Sequence, residues 1–211
     1  MNNSNAGTAW SLLGLTLRIA HTHGIHRACP PDIPYDRVFR RSRIWWAIVW
    51  QESLLGISYD RASAAVHLDT NTMLPPQYFG QTGAYHTTMY DVCKVGLEIV
   101  SERARLMSPR EQIARITEHR ESMARIVSDA AEYLRDSRKC TTNRETIEHW
   151  GLYLHSSYIM AELCRPAISP NADAELVRLF RSTCIDNLTN TVEAFLGLNN
   201  IVSSVLNEAI R

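Results

Sequence analysis

Eight consecutive residues, Ile44 to Gln51, carry no charge and hold three of the chain's five tryptophans, Trp45, Trp46 and Trp50. They lie in the middle of a longer segment whose apolar residues recur at helical spacing. A helix that is apolar on most of its sides must be enclosed by other elements. The segments around it repeat the same periodicity, and no alternating run bounded by turn residues forms a strand pattern. The chain is therefore expected to be all-α, a single domain over residues 1–211 built as a bundle of about six to eight helices. One internal loop is expected at residues 69–83, where Pro75, Pro76 and two glycines collect.

The boundaries follow from capping chemistry. The first helix is expected from about Gly7 to His23, with Trp10, Leu13, Leu17 and Ala20 on one face and Gly24 at its end. Pro30, Pro31 and Pro34 force an extended connection, so the tryptophan-rich helix runs from about Asp36 to Ser58. A third helix is expected over Ala84–Met107. Ser108, Pro109 and Glu111 have the features of a helix start, a cap, a first-turn proline and a reciprocal acid. The buried stripe of that fourth helix is Ile113, Ile116, Met123, Val127, Ala130 and Leu134. Thr142 and Glu145 stand in the same capping register and open a fifth helix, which Pro166 ends. Ser169 and Pro170 are expected to begin a last helical region reaching Ala209, broken near Gly197 and Asn199–Asn200.

Composition narrows the function classes. The chain has 22 basic and 22 acidic residues, for no net charge. A nucleic-acid binder usually has a basic excess, because phosphate neutralisation supplies most of its non-specific affinity, so direct DNA contact is not expected. The five cysteines show no CxxC spacing and suit reduced thiols in a core, in the nucleus or cytoplasm. No cofactor or metal is expected. The apolar run from Ala9 to Ala20 is interrupted by Arg18 and is too short to span a bilayer, so no membrane role is expected either.

Two segments in order resemble the middle homology region of fungal zinc-cluster transcription factors. One is Ala9 to Ala20, with Trp10 and Arg18, continuing to Gly24, Ile25, His26 and Arg27. The other is Arg40, Arg41, Ser42, Arg43, Ile44, Trp45 and Trp46, an arginine-rich run before a double tryptophan. A weaker third likeness runs from His155 through Tyr158 to Arg165 and Pro166. The likeness covers about residues 8–80. There are departures: where the family has Asp-Arg and then Gly-Arg-Pro, this chain has Glu52-Ser53 and Asp60-Arg61-Ala62, and the six-cysteine zinc motif is absent. The resemblance implies an effector-sensing regulatory domain that controls transcription of a metabolic or secondary-metabolite pathway without itself binding DNA. It assigns His26, Arg27, Arg43 and Arg165 to the structural motif. It also implies helices ahead of the first one, whose apolar faces expect neighbours, so binding of a protein partner or self-association as a dimer through that helix is expected.

The side chains that offer chemistry each have a structural reading beside the functional one. His21 and His23 lie about 200° apart on a helix and diverge, so they are read as surface histidines at a helix end, with His26 ordering the turn. Glu52 stands in an apolar helix and needs a partner; Arg43, Arg61 or Arg27 is expected to supply it. Trp45, Trp46 and Trp50, with Glu52 and Arg61, are candidates to line a pocket for a small effector. The alternative function is a small metal-free biosynthetic enzyme on the same fold, a cyclase, isomerase or dehydratase. Its acid–base groups would come from Glu52, Asp60, His21, His23 and Tyr59.

Overall fold

The computed structural model describes residues 6–61, 83–103 and 105–209, and among them every regular element is helical. The fold is all-α, a multi-helix bundle with seven α-helices among the described residues: α1 (Ala6–Thr22), α2 (Tyr35–Tyr59), α3 (Gly83–Arg103), α4 (Pro109–Asp129), α5 (Glu132–Arg135), α6 (Asn143–Cys164) and α7 (Ala174–Ala209). The chain gathers into two compact units. One contains α1, α2 and the end of α3 from Gly96; the other contains α3 up to Val95 and α4 to α7. The loop expected at 69–83 lies outside the described residues, except that Gly83 opens α3.

In the first unit, α2 is buried on one side, while Ile44, Ala47 and Gln51 leave a strip of the uncharged run exposed, so the expected enclosure on most sides is corrected. Trp45 is 1% exposed and Trp46 0%, and Ile48, Val49 and Ile57 are buried with them. Leu17 and Ala20 of α1 and Leu97, Ile99 and Val100 of α3 complete this core. The helix ends on Asp60, which takes a left-handed conformation with φ 53°. Glycine is the usual residue there because it has no Cβ penalty. The aspartate is held by Arg103, whose Nη1 lies 2.9 Å from Asp60 Oδ1. Asp60 therefore adopts a backbone that glycine takes more readily.

In the second unit, both capping boxes form as their spacing demands. The Glu111 amide donates to Ser108 Oγ at 3.3 Å, and the Ser108 amide donates back to Glu111 Oε2 at 2.8 Å. The Glu145 amide donates to Thr142 Oγ1 at 3.1 Å, and the Thr142 amide returns to Glu145 Oε2 at 3.2 Å. These reciprocal bonds satisfy donors that each helix start would otherwise leave open.

Three expected boundaries are corrected. The third helix stops at Arg103 instead of Met107, because Ser108 must be extended (φ −65°, ψ 157°) to cap the helix that follows. The fourth helix does not continue to Leu134. It ends at Asp129, Ala130 is extended, and the chain re-enters helix only as the single turn α5. That break lets the Tyr133 hydroxyl reach Glu148 and lets the Leu134 carbonyl accept from His149. The last helix starts at Ala174 instead of Ser169, since the Asp173 carboxylate accepts from the Glu175 amide at 2.9 Å and the Leu176 amide at 3.4 Å.

The fourth correction concerns α7, which runs unbroken for 36 residues through Gly197. A Cβ at this position would lie 2.8 Å from Cδ2 and Cε2 of Trp150. The glycine thus serves packing, giving the indole of α6 a notch in α7. Lower on the same pair, the Cys184 thiol donates to the Ala161 carbonyl at 3.4 Å. The partner number on α6 falls from 161 to 150 as α7 advances from 184 to 197, so the two helices form an antiparallel hairpin. The turn between them is a 3-10 helix, Arg165–Ile168, with Pro166 in its first turn.

Candidate functional site

The site is assembled at the C-terminus of α1. The Gly24 amide donates to the His21 carbonyl at 2.9 Å and the Ile25 amide to the Ala20 carbonyl at 2.9 Å. Gly24 itself has φ +63°. These are the two bonds and the left-handed residue of a Schellman turn. The reversal swings His26 back over the helix end, and its ring meets His21 edge-on with centroids 4.7 Å apart. Both imidazoles then lie against Trp45, at 6.0 Å for His21 and 5.9 Å for His26. One turn earlier on α2, Arg41 donates from Nη2 to the Gly24 carbonyl and so ties the turn to the tryptophan helix.

The expectation of a surface histidine is corrected for His21, which is half-buried, while His23 is exposed and the half-buried His26 stands in the turn it is expected to order. A straight helix puts residues 21 and 23 on different sides, but a Schellman turn brings back residue 26 instead. Gly24 was the signal; what it did to the following residues was not drawn from it.

Three buried polar atoms in this cluster have no hydrogen-bond partner among the described residues: His21 Nε2, Arg41 Nε and Trp45 Nε1. Buried groups of this kind are nearly always satisfied. Burial, the adjacent His21 and the charges of Arg27 and Arg41, in that order, hold the His26 pKa below its usual value. A proton on His26 is therefore disfavoured.

The other sequence candidates are placed as follows. Glu52 is buried at 3% exposure on α2, beside Ser53. Two of its expected partners reach aromatic rings: the Arg43 guanidinium lies 5.7 Å from the Phe39 centroid, and that of Arg61 lies 5.7 Å from the Trp10 centroid. Trp50 is half-buried, and Arg27, Tyr59 and Asp60 are exposed. Asp60 is engaged by Arg103. Arg165 caps the end of α6 and pairs with Glu162 at 3.0 Å. The structure thus brings His21 and Trp45 together with His26 and Arg41, and sets His23, Tyr59 and Asp60 at the surface.

A second polar cluster, in the second unit, was not read from the sequence. Glu148 is 7% exposed. It accepts from the Tyr133 hydroxyl at 2.8 Å and from Arg144 Nε at 2.8 Å. Burial and the Glu148 charge push the Tyr85 hydroxyl above its ordinary pKa. Its oxygen is 2.8 Å from where a Gly151 side chain would begin. Burial pushes the Cys164 thiol up to about 12, with Cys184 adding to it, so it stays a protonated core group. The i,i+4 spacing of Arg144 and Glu148 was the available signal. The phenols come from α3 and α5, at a distance in sequence that periodicity does not cover.

Among the described residues no group of three His, Cys, Asp or Glu is arranged to hold a metal ion, and no helix is long and apolar enough to cross a membrane. Compared with family models, with curated proteins and with solved structures, the chain finds no match.

Proposed function

We propose that this chain is an effector-sensing regulatory domain of the kind found in fungal transcription factors, acting on transcription through a partner and not by its own contact with DNA. The observation that carries the reading is the cluster of His21, His26, Arg41 and Trp45, in which three buried polar atoms have no hydrogen-bond partner among the described residues. Arg41 and the Trp45 indole offer N–H donors. His21 Nε2 either donates or accepts, according to tautomer. An acidic, oxygen-rich group fits that set. Its binding would favour the arrangement in which the end of α1 is clasped to α2, and so bias one packing over another. The resemblance of residues 8–80 to the middle homology region supports the same reading, as does the absence of net charge. Of the groups that the enzymatic alternative would use, His23, Tyr59 and Asp60 are at the surface and Asp60 is in an ion pair, while Glu52 is buried and His21 stands in the cluster itself.

The test is titration of the purified protein with small carboxylic acids and phosphate-bearing metabolites, followed by tryptophan emission and thermal unfolding. A ligand of this site changes the emission and raises Tm. Arg41→Met weakens both effects while far-ultraviolet circular dichroism remains unchanged. The same chain fused to a separate DNA-binding domain then gives a reporter whose output follows the ligand. A panel that alters neither emission, Tm nor reporter output overturns the proposal.

A further inference from the structure

Along α7, Ile185, Leu188, Val192, Phe195, Asn199 and Val202 are spaced three and four residues apart without a break, and all are exposed. The five apolar members are 41 to 58% exposed. This is a heptad seam, with Ile185, Val192 and Asn199 at the a positions and Leu188, Phe195 and Val202 at d. It lies beside the face that α7 packs against α6, where Ala194 and Gly197 lie, with buried Cys184 on the border between the two, in line with Val202. The Trp150 notch fixes that inner face, so α7 cannot roll the seam inward without driving a side chain into the indole.

We infer that the seam is an interface with a second copy of this chain, in which two α7 helices pair in parallel and in register. Three observations choose that occupant. Ile185 and Val192 at a flank Leu188 at d, the pattern that favours two strands, while Phe195 and Val202 fill the other d positions. A lone Asn at an a position is accommodated best by the same Asn of an identical, parallel partner. In an antiparallel pair centred on the seam, Asn199 would face Leu188 and bury its amide against a methyl group. The area also suffices. The seam is about 26 Å long and would bury on the order of 500 Å² per copy, about 1,000 Å² in total, which is the threshold for a biological interface and suits a weak, reversible dimer. The short stripe Leu12, Leu15 and Ile19 on α1 is also exposed, but it spans only two turns and has no polar register residue.

The experiment is sedimentation velocity on the purified chain between about 1 and 100 µM, a range suited to an interface of this size. The expected species is a dimer of two 24.0 kDa chains. Val192→Glu buries an unpaired charge in the seam and is expected to weaken the dimer roughly tenfold or more, with helix content unchanged. Leu15→Glu is expected to leave it intact. In a Cys29→Ser, Cys140→Ser background, Asn199→Cys is expected to cross-link two copies on mild oxidation, as parallel in-register pairing requires. A chain that stays monomeric throughout overturns the inference. So does a dimer that survives Val192→Glu and is lost with Leu15→Glu, or one that Asn199→Cys fails to cross-link.

Discussion

Gly197→Ala separates two opposing effects that the structure makes measurable. In an exposed helix the substitution would stabilise by about 1 kcal/mol, because alanine loses less backbone entropy than glycine. Here the new Cβ would sit 2.8 Å from two ring atoms of Trp150 and 3.0 Å from a third. The ring is itself wedged, with His149 edge-on at 5.2 Å and Tyr153 at 6.0 Å, so it cannot swing aside freely. Overpacking of this sort costs about 1–3 kcal/mol, and the sum is a net loss of roughly 1 kcal/mol. In a Trp150→Leu background the obstruction is gone, and the same change should stabilise by about 1 kcal/mol. The coupling between the two sites is then about 2 kcal/mol. Urea denaturation of the four proteins, followed by far-ultraviolet circular dichroism, measures it. If Gly197→Ala has the same effect with and without the indole, the notch is not what places glycine in α7.

Tyr133→Phe removes one of the bonds to the buried Glu148 carboxylate and should destabilise by about 1.5–3 kcal/mol, as for hydrogen bonds to charged groups. A midpoint that does not move in urea would remove the α5 turn from the list of anchors. Acidification should also destabilise. Burial above all, then His21, Arg27 and Arg41, lower His26; burial lowers His155 against the opposing pull of the Gly151 carbonyl. Between those lowered values and the ordinary 6.5, the unfolded chain binds more protons than the folded one, so stability rises with pH through that window and is lost as pH falls below 6.5. Thermal unfolding from acid to neutral pH should show Tm falling on the acid side, with a shallower slope for His155→Gln. A Tm that rises on acidification contradicts the assignment.

The sequence was most informative where one short-range chemistry decides the outcome. Ser108 with Glu111, and Thr142 with Glu145, announced helix starts because each box closes within four residues. The burial of Trp45 and Trp46 was legible because eight uncharged residues make the larger part of a helix apolar, although Ile44, Ala47 and Gln51 stay exposed. What was hidden depended on partners remote in the chain. Ala130 yields to a break because Tyr133 and Leu134 have partners on α6. Gly197 reads as a breaker until Trp150 is seen above it. The pairing of His21 with His26 was local, yet it required following a left-handed glycine into three dimensions instead of counting degrees around a helix. The seam on α7 was present as a pattern, but periodicity does not tell which apolar stripe faces inward.

The hairpin of α6 and α7 admits one alignment. Trp150 fits over position 197, and a slide of one turn would set it against Glu193 or Ile201, where no indole fits. The ratcheting shift by which some helix pairs switch state is therefore closed to this pair. A displacement at one end of the 36-residue helix, about 54 Å long, would then have to pass along it as a tilt or a twist of the whole strut, like torque along a keyed shaft.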